Sequence, residues 1–209
     1  MSQPIARPSR LSSDLAVGMV AVAIGLIVGA STSVLQTYLD SPWASLVNAA
    51  SPWLAPAFVL GLLVPRPRAA VVGGLVVCLS ELVGYYVTSE LRGFAAGGSI
   101  LVFWAVCAVI GGPVFGGAGW ATRYGPARFA GLAAATLPAA FLAEAVVAYW
   151  IRLDYRSSAV LFGAIGLALA VIIALRSRRP VPVAAGLVPM FVLGVLAELA
   201  LGALYAQSF

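Results

Sequence analysis

The 209-residue chain has no histidine and no lysine, and all twelve of its basic residues are arginine. Without lysine, a seven-span bundle cannot carry a Schiff-base retinal. Without histidine there is no Ser-His-Asp triad, no Cys-His pair and no HExxH zinc site. Charge is scarce too: 9% of residues are charged, 62% are hydrophobic, and the mean hydropathy is +1.04. A soluble domain of this length needs far more polar surface. The chain therefore reads as one integral, multi-pass membrane domain over 1–209, all-α, with the lipid bilayer as its first partner. The net charge of +5 is no sign of nucleic-acid binding, because the arginines lie in short loops between apolar runs. The two cysteines, Cys78 and Cys107, fall mid-span with no histidine partner and read as packing residues. Nothing in the composition calls for a cofactor or a metal.

A spanning helix needs about 20 apolar residues. Seven candidates follow a cytoplasmic tail over 1–13: 14–37, 52–64, 69–91, 99–122, 126–151, 157–175 and 181–205. No small-residue cleavage site follows a short apolar core, so the first span reads as uncleaved, with Ser12, Ser13 or Asp14 as its cap. The second span is preceded by a local repeat, Ser41-Pro42-Trp43 and Ser51-Pro52-Trp53. Ser before Pro marks an N-cap followed by the first helical position. Two helix starts ten residues apart predict a short interfacial helix over 42–50, then a short span. One kinked helix from Pro42, with 42–50 as the top of the second span, is the alternative. Trp43 and Trp53 suit the aromatic belt.

With the N-terminus inside, the inner segments hold Arg7, Arg10, Arg66, Arg68, Arg123, Arg128, Arg176, Arg178 and Arg179. The outer ones hold Arg92, Arg152 and Arg156. Nine against three satisfies the positive-inside rule and predicts a cytoplasmic N-terminus in the cell membrane. After the first helix the chain then reads as three hairpins, each turning at an Arg/Pro loop.

Each rising helix carries one glutamate: Glu81, Glu144 and Glu198. Each has a tyrosine within seven residues: Tyr85, Tyr149 and Tyr205. At 1.5 Å per residue, all three carboxyls lie about 20–24 Å from the inner face, in the outer half of the bilayer. Ionisable groups at such depth cost roughly 2.5–3.5 kcal/mol on insertion scales and face a bundle interior or a wet cavity. Glu81, Glu144 and Glu198, walled by Tyr85, Tyr149 and Trp150, form the candidate substrate site, suited to an amine or another cation. Proton coupling through one carboxyl is a second use. Pairing with Arg92, Arg152 or Arg156 to lock helices is a third. A hard divalent cation held by three carboxylates is a fourth.

Three further features belong to the expected machinery. Asp40, Trp43 and Asn48 are placed to act as a lid or gate. Gly112 and Pro113 are placed to break the fourth helix, as broken helices often line transporter sites. Ala21, Gly25 and Gly29 form a small-residue ridge for a partner protein or another helix of this chain.

The stretch from Pro52 to about Ala145 resembles the substrate-binding S components of energy-coupling-factor vitamin transporters. The likeness lies in Val64-Pro65-Arg66-Pro67 at a span end, the small-residue helix carrying Glu81, and the glycine-rich fourth span. It implies capture of a vitamin-like solute, and contact of Ala21, Gly25 and Gly29 with a shared membrane coupling subunit. The chain also looks like an uncharacterised family of small actinobacterial multi-pass membrane proteins. The expected function is small-solute binding and transport, with an ATPase coupling module or a homo-oligomer as possible partners. A non-catalytic assembly protein and a carboxylate-based intramembrane enzyme are the alternatives.

Overall fold

The computed structural model describes residues 10–94, 98–177 and 180–207. Arg7, Arg178 and Arg179 lie outside them, as do the side chains of Arg10, Ser12, Ser13 and Tyr205. Among the described residues there are seven α-helices and no strand: α1 (Arg10–Leu35), α2 (Ala50–Leu63), α3 (Pro67–Leu91), α4 (Gly98–Tyr124), α5 (Ala127–Glu144), α6 (Arg156–Ser177) and α7 (Pro180–Gln207). All but α2 are long and apolar enough to cross a membrane. A 3-10 turn, Trp43–Val47, precedes α2, and α5 continues as a π-helix over Ala145–Arg152. The expectation of two helix starts before the second span holds, and Asn48 separates them. The first helix begins at Arg10, four residues before the expected Asp14.

Small residues set the packing. A side chain at Gly25 would collide with α3 at Val77 and Ser80, and one at Gly29 would collide with Glu81 and Tyr85. The contacts advance together along both helices, so α1 and α3 lie parallel and in backbone contact. Ala21 is buried in the same ridge. Of the two uses expected for this ridge, a partner protein or another helix of the chain, the structure shows the second. Internal contact wins because van der Waals packing of small residues is the main force between helices in lipid. On its other side α3 meets α4 through Gly74, which lies against Gly112 and Gly116.

The expected break at Gly112 and Pro113 is not there: α4 runs unbroken from Gly98 to Tyr124. Gly112 serves close approach to α3, and a continuous helix tolerates Pro113. The departure from α-helical geometry falls one helix later, at Ala145.

The alanine-rich α5 is the central helix, with every residue from Ala133 to Ala139 buried. It touches α6, α7, α2 and α4. By contrast α7 turns most of its apolar residues outward, and Glu198 is one of its few buried side chains.

Candidate functional site

The site originates in the shortness of α2. Fourteen residues span about 21 Å at 1.5 Å per residue, against a hydrocarbon core of about 30 Å. Its N-terminus therefore stops inside the bundle. The first N–H groups of a helix have no intrahelical partner, and buried ones must find another. Glu144, from α5, supplies it. Its Oε1 accepts from the Ala50 N–H at 2.9 Å, and its Oε2 accepts from the Ser51 N–H at 2.9 Å. The Ser51 hydroxyl donates to the same oxygen. Ser51 is therefore not the N-cap that the Ser-Pro pattern predicts. The cap position is Ala49, whose side chain makes no capping bond, and the capping carboxylate comes from 94 residues away. A negative charge at a helix N-terminus also meets the positive end of its dipole. At the other end of α2, Trp120 Nε1 donates to the Pro65 carbonyl at 3.0 Å and Arg123 Nη1 to that of Leu62 at 3.2 Å.

Beyond the α2 N-terminus lies a cavity of about 790 Å³. Val47, Asn48 and Ala49 of the segment leading into α2 contribute to its wall. Trp53, Tyr85, Tyr86, Phe103 and Trp104 form an aromatic side. Trp53 stacks near Trp104 at 6.2 Å between centroids and meets Tyr85 edge-on at 5.5 Å. The Tyr85 hydroxyl donates to Gln36 Oε1 at 3.0 Å. The opposite side is charged, with Glu144, Arg152 and Glu198 together with Tyr149. Arg152 Nη2 lies 3.6 Å from Glu198 Oε2.

The π segment builds this charged side. Closing each turn one residue later brings residue i+5, not i+4, above residue i. Tyr149 thereby follows Glu144 on the cavity wall, with its ring against Phe162 at 4.6 Å and its hydroxyl donating to the Ser45 carbonyl at 3.3 Å.

The structure divides the residues expected to form the site. Glu144, Glu198, Tyr85 and Tyr149 line the cavity. Glu81 does not, although it is fully buried: its carboxyl lies near Cys78, and neither oxygen has a hydrogen-bond partner. The three carboxyls thus do not share one site. Among the described residues, no cluster of three His, Cys, Asp or Glu is placed to hold a metal. Trp150 points outward, 49% exposed, with the Arg156 guanidinium 3.9 Å above its ring. It sits one position beyond Tyr149, on the lipid side of the π turn. Of the expected lid, Asn48 lines the cavity, with its amide bonded back to Ala44. Asp40 and Trp43 are exposed and do not line it. Trp53, expected in the aromatic belt, is drawn inward because it lies in the first turn of a helix that starts inside the bundle.

Of the arginines expected to pair with the glutamates, only Arg152 does. Arg92 donates to the Ser33 carbonyl and the Thr37 hydroxyl at the end of α1, and Arg156 pairs with Asp154 at 2.5 Å. Trp104 and Phe103 were not singled out by the sequence. Their only signal is a Phe-Trp pair at the start of a span, which equally suits the interface.

No curated protein and no solved structure matches the chain. Residues 8–206, almost the whole bundle, match the model of a family of unknown function, DUF6518, and the chain belongs to that family.

Proposed function

We propose that the protein binds a small organic solute in the cavity beyond α2 and serves as a membrane transport protein or as the binding subunit of one. The observation that carries this reading is the cavity itself. At about 790 Å³ it falls within the usual range for ligand sites, and it combines an aromatic wall with a few convergent polar groups. A solute with a heteroaromatic portion would stack on Trp53, Trp104 and Tyr85, and its amine would meet Glu198. The arginine count supports a cytoplasmic N-terminus in the cell membrane, which would turn the cavity to the outside. Transport would then draw on an ATPase coupling module or on protons; a homo-oligomer is the other assembly.

A second reading, a structural or assembly protein, is favoured by the use of Glu144. That carboxylate is wholly engaged in holding α2 to α5.

Thermal stability of the purified protein against a panel of vitamins and aromatic amines separates the two. Stabilisation by a panel compound that disappears in Trp104→Ala supports solute binding. A flat response across the panel, with Trp104→Ala indistinguishable from the parent, leaves the structural reading standing.

A further inference from the structure

Charge balance at the polar side of the cavity restricts the solute further. Glu144 is already answered by three donors at the start of α2. Glu198 is answered by Arg152, the one cationic side chain among the described residues that line the cavity. Two carboxylates set against one guanidinium and the roughly half positive charge of a helix N-terminus leave the set about half a unit negative. A plain cation drawn to Glu198 would displace Arg152 and forfeit the ion pair already present. A plain anion drawn to Arg152 would orphan Glu198 in the same way.

We propose that the solute is a zwitterion: an aromatic compound bearing both an ammonium and a carboxylate. This rests on the solute-binding reading above and names its substrate class. The carboxylate takes the two parallel N–H donors of Arg152, and the ammonium takes Glu198. One ion pair becomes two, and no charge is left alone.

The geometry suits such an exchange. At 3.6 Å the Arg152–Glu198 contact is longer than the 2.7–2.9 Å typical of charge-assisted hydrogen bonds, so the pair is loose. The guanidinium is not locked in place, its side chain being 43% exposed while that of Glu198 is 10% exposed. The absence of a side chain at Gly202 on α7 makes room for it: a Cβ there would collide with Arg152 Nη1. Trp53, Glu144, Arg152 and Glu198 line the same cavity. One molecule with a ring and an adjacent amino-acid-like head can reach both sides.

The test uses three probes with the same ring: phenylalanine, phenethylamine and 3-phenylpropionate. Binding to the full chain in lipid nanodiscs is followed by calorimetry and thermal shift. Phenylalanine is expected to bind at least about tenfold more tightly than either singly charged probe. Arg152→Gln is expected to bring phenylalanine to within roughly threefold of phenethylamine. Gly202→Ala, which crowds the guanidinium without removing its charge, shifts the ratio in the same direction. Should Arg152→Gln fail to fold, the three-probe comparison on the parent protein still decides. Phenethylamine binding as well as phenylalanine overturns the zwitterion and leaves the amine-binding reading intact. Preference for 3-phenylpropionate overturns both, and so does binding of none of the three when the wider panel is also silent.

Discussion

Glu81 and Glu144 sit in similar sequence, Leu-Ser-Glu-Leu and Leu-Ala-Glu-Ala, on helices running the same way, and both are buried. Their surroundings have little else in common. Glu81 lies on the helix whose backbone packs along α1 at Gly25 and Gly29, where both helices are continuous and satisfy their own hydrogen bonds. No backbone donor is free there, and its carboxyl finds no partner. Glu144 lies beside a helix that begins inside the bundle and presents unbonded N–H groups. The difference teaches that a buried carboxylate becomes structural where a neighbouring helix ends. Residue type and depth alone do not decide it.

The contrast can be broken most sharply at Glu144. Replacing it with alanine orphans the Ala50 and Ser51 N–H groups, at roughly 1–3 kcal/mol for each unsatisfied buried donor. Glu144→Ala is therefore expected to lower stability by about 3 kcal/mol or more, read as a large fall in the thermal midpoint in detergent. Hydrogen exchange at the start of α2 should rise with it. If α2 stays protected, the carboxylate is not its cap.

Next comes the seam beside Glu81. Gly25→Val puts a branched side chain where α1 and α3 backbones touch, and overpacking of this kind costs about 1–3 kcal/mol. The expected loss is about 2 kcal/mol, with tryptophan fluorescence from the cavity end unchanged. A fluorescence change would show that the two regions are not independent.

A smaller effect is expected at the far end of α2. Trp120→Phe removes the bond to the Pro65 carbonyl and keeps the ring, for about 1 kcal/mol. Denaturant or thermal unfolding of this variant beside Glu144→Ala measures how unequally the two ends of α2 are held.

The smallest effect is expected at Glu81 itself. Because no partner is lost, Glu81→Gln should shift stability less than any of the other substitutions. A loss comparable to that of Glu144→Gln, measured in parallel, would mean that Glu81 holds the fold after all and would remove the distinction.

Much of the architecture was legible beforehand. Hydrophobic runs of spanning length located six long helices, because lipid requires each helix to be continuous and apolar. The Ser-Pro-Trp repeat marked two helix starts, and the 13 residues from Pro52 to Val64 limited α2 to a short helix. The candidate site was legible only in pieces. The periodicity of small residues shows that Ala21, Gly25 and Gly29 share a face, yet α3 and a partner protein offer that face equal chemistry. The π turn after Glu144 leaves no mark in composition, and it moves Tyr149 to the cavity wall and leaves Trp150 outside.

Sequence alone determined that this protein lives in a bilayer, where its helices lie, and that three carboxylates fall within them. Helix length and depth follow from local hydrophobicity and a rise of 1.5 Å per residue, which need no partner to be known. Only the tertiary structure decided that one carboxylate caps α2, one pairs with Arg152 at a cavity wall, and one stands alone. Those fates depend on which helix ends face which side chains, and that rotation is set by packing among small residues distant in the chain.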